Sequence, residues 1–498
     1  MRFFEVLLFA AALSALITRL LPGLRQKAVG AYLPYAAGLL IPVQLLTEGY
    51  RWQMVPLYVF ILGLIIVSIF ARKRADGQLI RNKVIRIVCI VLSFLLYVGS
   101  LVFPALLPVV NLPEPEGPYA VGTVSYRLID ESREEVFTED PGDVRNLLVT
   151  AWYPADVEKG SPVEGYWDKE GITGRTYSIQ SGMGLFWYSH LNQVKTNSHP
   201  DAPVSSKEAA YPVILYSPSF YGMNTENTML CEDLASHGYI VFAINHSYET
   251  ILSLYPDGEA VPGYLDHIDD LYDAHADRED QLYESYDTAE TIDQKTEIIR
   301  QILSVDDQFT FLLKTRTEDA MFVMDEIERL NDEKGPFHGR IDTKRAGILG
   351  WSFGGATAVE ACMADGRFRA GVNIDGWPYG EQFSAREAIE QPFMMLRSDP
   401  EDEMEALVGS LVYEKIGAAG YSLIIEGAEH MNFWDFPLFF DVYKYIGYWG
   451  PIDAERLLSI HDIVTVGFFD KHLKGETIDL RDSVSAYPEV TMQAKGLD

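Results

Sequence analysis

Ser352 stands in Gly350-Trp351-Ser352-Phe353-Gly354, a GxSxG pattern flanked by two different kinds of sequence. Before it, Ala346-Gly347-Ile348-Leu349 is a short apolar run of the kind a buried parallel strand uses. After it, Gly354-Gly355-Ala356 opens a helical pattern that continues to Met363. The five-residue pattern alone carries little weight, since about 0.2 matches are expected by chance in a chain of this length. A strand before and a helix after supply the context in which a strained turn lifts a serine hydroxyl above a sheet and aims a helix N-terminus at it. Ser352 is therefore the expected nucleophile.

A serine hydroxyl needs a base to take its proton and an acid behind the base to hold its tautomer. His430 follows the strand Tyr421–Ile425 in Glu426-Gly427-Ala428-Glu429-His430, and it lies after both the serine turn and the acid-bearing strands. His461 and His472 fall instead in a C-terminal helical region. Two acids stand just beyond strands, Asp375 after Phe368–Ile374 and Asp399 after Pro392–Leu396. Spacing alone leaves both open, Asp399 being also a natural turn residue before Pro400.

These residues must be carried by a sheet. Strand patterns are expected at Ala120–Leu128, Val144–Trp152, Tyr211–Tyr216 and Tyr239–Ile244, and helical patterns at Asn227–Ser236 and Glu318–Leu330. With the strands around Ser352, the alternation predicts a mostly parallel sheet covered on both faces. Two excursions interrupt it, near 155–210 and 250–305. The first carries Trp167, Phe186, Trp187 and Tyr188, either lining a cleft or packing locally. The second is acidic, and its Asp266, Asp269 and Asp270 lack the glycine and closing glutamate of a calcium loop, so a solvated charged face is expected.

Trp152-Tyr153-Pro154, Leu234-Ala235-Ser236-His237-Gly238-Tyr239, Gly350-Trp351-Ser352-Phe353-Gly354-Gly355, Asp375-Gly376-Trp377 and His430-Met431-Asn432-Phe433-Trp434-Asp435-Phe436 together resemble the platelet-activating-factor acetylhydrolase family of α/β-hydrolases. The resemblance covers most of residues 119–475. It implies an α/β-hydrolase fold, Asp375 rather than Asp399 as the acid, and an oxyanion hole from the amide of Phe353 and one in a loop after the strand Tyr211–Tyr216. That loop reads Ser217-Pro218-Ser219-Phe220-Tyr221-Gly222, departing from the family's usual Ser-His-Gly-Leu-Gly. Pro218 has no N–H, which leaves Phe220 as the expected second donor. The resemblance also implies phospholipid substrates with short or oxidised sn-2 chains. No metal and no cofactor is called for.

Charge divides the chain in two. Residues 1–110 carry 11 Lys/Arg and 3 Asp/Glu, whereas the remaining 388 carry 29 and 69. The acidic part disfavours nucleic acid, which would be repelled. The basic part holds four apolar stretches, Phe3–Leu21, Ala28–Leu46, Val55–Phe70 and Val84–Val110, read as about four membrane spans. Glu5 inside the first stretch argues against a cleaved signal peptide. The charged residues within these stretches, Glu5 and Arg19 in the first and Arg86 at the start of the fourth, stand near ends, so an anchor is expected rather than a pump. Arg72, Lys73, Arg74, Arg81, Lys83 and Arg86 between the third and fourth spans, and Arg19, Arg25 and Lys27 between the first and second, place those loops in the cytoplasm. Everything after the linker 111–118 is then expected outside it. Cys89, Cys231 and Cys362 are too few and too scattered for a disulfide framework.

The expected function is a membrane-anchored serine ester hydrolase acting on a phospholipid or another ester through an acyl-enzyme. A cutinase-like or short-chain carboxylesterase is the enzymatic alternative, and a non-catalytic membrane-tethered sensor domain the alternative of another class. Hydrolysis of any p-nitrophenyl ester separates the last from the others.

Overall fold

A computed structural model describes residues 1–21, 28–72, 82–264, 276–304 and 308–497. Arg25, Lys27, Lys73, Arg74, Arg81, Asp266, Asp269 and Asp270 lie outside the described residues. The chain divides into two compact units, Met1–Asn111 with Trp167–Val194, and Leu112–Tyr166 with Lys195–Asp498.

The first unit holds the helices Phe3–Leu20, Ala28–Glu48, Val55–Arg72 and Lys83–Leu106. Four spans were expected, but among the described residues three segments are long and apolar enough to cross a membrane: Gly30–Glu48, Trp52–Arg72 and Lys83–Leu106. Phe3–Leu20 has 18 residues. At 1.5 Å per residue it reaches ~27 Å, short of a ~30 Å hydrocarbon core, with Glu5 and Arg19 inside its length. It packs as a bundle member, burying Leu8, Ala12, Ala15 and Leu16. Glu5 is buried in a fork with Arg51, Nε to Oε1 at 2.7 Å and Nη2 to Oε2 at 2.7 Å, while Arg51 Nη1 donates to Leu107 O at 2.7 Å. An acid that would be costly facing lipid is thus paired inside the protein.

Trp167–Val194, expected to lie over the sheet, packs in this first unit. Trp52 Nε1 donates to Phe186 O at 2.7 Å, and the Trp52 ring centroid lies 5.0 Å from Phe103 and 6.1 Å from Trp187. Gln193 accepts from Arg2 Nη1 at 2.7 Å and donates to Tyr50 O at 2.6 Å. Trp167 packs on Tyr177 and Tyr188. Trp167 and Tyr188 thus pack within their own segment, whereas Phe186 and Trp187 meet Trp52 and Phe103 from the helical part of the unit.

The second unit is built on a ten-stranded sheet. Its strands are β1 (Ala120–Glu134), β2 (Val144–Ala155), β3 (Ser198–Pro200), β4 (Tyr211–Ser217), β5 (Ile240–Asn245), β8 (Ile341–Trp351), β9 (Phe368–Ile374), β10 (Phe393–Ser398), β11 (Gly420–Ile425) and β12 (Val490–Lys495). The hairpin β6 (Leu252–Leu254) and β7 (Ala260–Pro262) stands apart. The order is β12-β11-β10-β9-β8-β4-β5-β2-β1-β3. The six strands from β11 to β5 are mutually parallel, and β2 and β12 pair antiparallel at the flanks of that block.

Period-two alternation buries both faces. In β4, Val213 and Leu215 join one core with Val323, Ile327 and Val359 from the helices Gln308–Asp332 and Phe353–Ala364. Ile214 and Tyr216 join the other with Leu230, Leu234 and Ile460 from the helices Thr228–Ser236 and Ala454–Phe469. The chain enters at β4, moves outward to β5, then returns to the other side of β4 as β8. Strand order therefore reverses between β4 and β8, the position where crevices open at the carboxyl ends of parallel strands.

Candidate active site

The reversal point sets two chain segments side by side, the loop after β4 and the turn after β8, with Ser217 paired in register to Gly350. Ser352 follows β8 at φ +56°, ψ −120°, a backbone conformation that costs about 1–3 kcal/mol and is held here by its neighbours. Its N–H donates to Ile374 O at 2.8 Å, and its carbonyl accepts from Gly355 and Ala356 N–H at 2.9 and 3.2 Å. Glycine is required at 354 because a Cβ there would fall 1.9 Å from Ser217 O, and at 350 because one would fall 2.2 Å from Gly354 O. The motif's small residues thus let the β4 loop, the nucleophile turn and the helix start touch backbone to backbone.

Ser352 Oγ lies 3.0 Å from His430 Nε2, and His430 Nδ1 lies 2.8 Å from Asp375 Oδ2. The other carboxylate oxygen, Oδ1, accepts from Ser398 N–H at 2.8 Å and Ser398 Oγ at 2.9 Å. An Nδ1–H that donates to Asp375 leaves Nε2 with a lone pair toward the serine hydroxyl. The His430 side chain is 45% exposed and that of Asp375 is 11% exposed, so the imidazole is open to solvent while the carboxylate is shielded.

Asp375 also sits at positive φ, +52°. Asn373 staples its turn, Oδ1 accepting from Gly376 N–H at 2.8 Å and Nδ2 donating to Gly376 O at 2.9 Å. The structure therefore brings Ser352, Asp375 and His430 together. Asp399 instead ties the end of β10 to the loop before His430, its N–H donating to Ala428 O at 2.9 Å. His461 is buried against Phe433, and His472 Nε2 meets Tyr421 OH at 3.0 Å.

Phe353 is the first residue of the helix after Ser352, and its ring lies 5.5 Å from that of Phe220. Both line a cleft of about 430 Å³ with Ser352 and His430. The loop that carries Phe220 is clamped from beneath. Ser219 N–H and Oγ donate to the two oxygens of Glu226 at 2.6 and 2.7 Å, and Arg316 Nη1 donates to Pro218 O at 2.8 Å and Ser219 O at 3.2 Å. Burial pushes the Glu226 carboxyl up to about 7 against these hydrogen bonds.

Ser217 Oγ meets His246 Nε2 at 3.1 Å, and His246 Nδ1 meets Asp319 Oδ2 at 2.8 Å. This second Ser-His-Asp chain is fully buried and cannot meet a substrate; it locks the β4 end in place. Burial, with Arg316 adding to it, draws His246 down to about 3, so its ring is neutral. Burial works to raise Asp319, but the Arg145 charge and hydrogen bonds from His246 and Arg145 outweigh it and hold the carboxyl low. His246, Glu249 and Asp319 converge as metal ligands would. Arg145 and Arg316 already supply the cation, however, at 2.6 Å from Asp319 and 2.9 Å from Glu249. Removing one partner of such a buried pair typically costs about 3–5 kcal/mol.

The profile of the family described as "Platelet-activating factor acetylhydrolase, isoform II" matches residues 105–486. The chain belongs to this family. It is 24% identical to the platelet-activating factor acetylhydrolase of Cavia porcellus over 372 residues, covering 73% of this chain and 78% of that one. The Bos taurus protein of the same name is 25% identical, with 73% and 77% covered. A probable 1-alkyl-2-acetylglycerophosphocholine esterase of Arthroderma benhamiae is 23% identical, with 76% and 92% covered. The solved ferulic acid esterase from Streptomyces cinnamoneus shares the fold, with TM-score 0.60 and 24% identity, over 77% of this chain and 99% of that one. This acetylhydrolase-family chain is a serine ester hydrolase with an α/β-hydrolase fold.

Sequence reasoning missed the supports of this site. Asn373 and Ser398 flank Asp375 from β9 and β10, and a polar residue at the otherwise apolar end of each strand was the available signal. His246 was legible as a strand-end histidine, but its partner Asp319 comes from a distant helix, and Arg145, which holds Asp319, from a distant strand.

Proposed function

We propose that this chain is a membrane-anchored esterase that removes short acyl groups from glycerophospholipids outside the cytoplasm, through an acyl-enzyme on Ser352. The observation that carries the reading is His430 Nε2 at 3.0 Å from Ser352 Oγ with Nδ1 held by Asp375. Ser352 Oγ attacks the ester carbonyl carbon as His430 takes its proton. The oxyanion lies against the amides of Phe353 and Phe220, and collapse expels the alcohol with the proton from His430. Water, deprotonated by the same ring, then releases the acid. The names of the relatives favour an acetyl phospholipid. Against a panel of acyl lengths, a 2-acetyl glycerophospholipid should turn over at least about tenfold faster than its long-chain counterpart. Hydrolysis of p-nitrophenyl butyrate without any phospholipid turnover would make it a short-chain carboxylesterase, and hydrolysis of neither would make it a binding domain.

One helix supports the location. Lys83–Leu106 alone separates the basic segment ending at Lys83 and Arg86 from the hydrolase unit, so the result does not depend on whether Phe3–Leu20 crosses. With that basic segment cytoplasmic, one crossing delivers the site to the far side. A cysteine introduced at Glu114 should react with a membrane-impermeant maleimide in intact cells, and one at Gln78 only after lysis. The opposite pattern would place the site in the cytoplasm.

A further inference from the structure

Trp351 pairs with Ile374 across β8 and β9, and Ile374 pairs with Leu396 across β9 and β10. Ser352, Asp375 and Arg397 thus follow in one row at the carboxyl edge of three adjacent strands. At about 4.8 Å per strand, Arg397 stands roughly 10 Å along that row from the nucleophile. It lines the same cleft as Ser352 and His430. Its guanidinium lies flat against the helix Glu403–Lys415 at Gly409, where a Cβ would fall 1.8 Å from Nη1 and 1.9 Å from Cζ. Nη2 donates to Glu405 O at 2.6 Å.

Arg51, Arg145 and Arg316, the fully buried arginines of the described residues, each grip a carboxylate, whereas Arg397 is half-buried. Arg397 has none in ion-pair reach among the described residues. The carboxylates around it are committed elsewhere. Asp375 is filled by His430 and Ser398, and Glu405 turns back to accept from Glu401 N–H at 2.9 Å. A planar fork of donors, seated by a glycine and facing a reaction cleft without a carboxylate partner, is suited to a carboxylate or phosphate oxygen.

We propose that Arg397 binds an anionic oxygen group of the ester substrate, a carboxylate at the far end of the acyl chain or a phosphate on the alcohol. The proposal rests on Ser352 being the nucleophile of the same cleft. In an otherwise strongly acidic chain such a residue selects which esters settle with their carbonyl at Ser352.

The test compares p-nitrophenyl hydrogen suberate, its neutral methyl diester, and the acetyl ester of glycerol phosphate beside that of glycerol, with wild type, Arg397→Gln and Arg397→Lys. Arg397→Gln should lower kcat/KM about 10- to 100-fold on one anionic ester, chiefly through KM, and less than about twofold on its neutral counterpart. Those factors correspond to one lost charge-assisted contact. Arg397→Lys should recover part of the loss. The arm that responds tells carboxylate from phosphate. Equal losses on charged and neutral esters would mean that Arg397 merely supports Asp375, and no loss on either anionic ester would mean it touches no anion; each overturns the proposal. Neutral-ester turnover in Ser352→Ala within about tenfold of the wild-type rate would instead remove the reading on which the proposal rests.

Discussion

Asp375→Asn should lower kcat by about 10⁴-fold while Asp399→Asn changes it only a few-fold. An amide at 375 can donate an N–H to His430 Nδ1, which favours the tautomer with the proton on Nε2, facing Ser352, and it removes the charge that stabilises the imidazolium formed on proton transfer. The contacts behind this are His430 Nδ1 to Oδ2 at 2.8 Å and Ser398 on Oδ1. Because Ser398 N–H and Oγ both donate to Oδ1, the asparagine should stay in place with little change in Tm. Asp399 touches the site only through its backbone, Asp399 N–H to Ala428 O. Steady-state kinetics of both variants on one p-nitrophenyl ester checks this, and the reverse order of effects would move the acid to β10.

Ser352→Ala should lower kcat by about 10⁶-fold, the largest effect in the chain. The residue holds its turn through backbone contacts, N–H to Ile374 O and carbonyl to Gly355 and Ala356, none of which needs the hydroxyl. Folding should therefore survive. With the proposed Phe353 and Phe220 amides still offering transition-state binding, the variant should retain slow turnover above the uncatalysed rate. A burst of p-nitrophenol in the wild type, absent in the variant, separates loss of acylation from loss of binding.

What could be read without the structure was local. The turn around Ser352 announces itself because a small apolar strand, two backbone-contact glycines and a helix start are contiguous in sequence. His430 was legible from its place after the last parallel strand. Spacing alone left Asp375 and Asp399 open, because both follow strands; the family resemblance implied Asp375, and the pairing of β9 with β8 and β10 brings that carboxylate to His430. The clamp under the Phe220 loop joins β2, the loop after β5 and the helix Gln308–Asp332, and no spacing rule connects Arg145, His246 and Asp319. The strand β12 escaped notice because it lies at an edge with none of its side chains fully buried and Thr491 and Gln493 exposed, so it lacks the apolar run of a central strand. Trp167–Val194 resembled a local excursion because its polar and aromatic residues carry no period. Its packing is set by Trp52 and Phe103, far away in sequence.

The most direct measurement is the site of covalent modification by a fluorophosphonate, which reacts only with a serine activated by a neighbouring base. The intact chain treated with the probe should gain a single adduct, and peptide mapping should place it on Ser352 in Arg345–Ala356. His430→Ala should abolish it without changing the fold. An adduct on any other serine, or labelling of Ser352 that is indifferent to His430, would contradict the account.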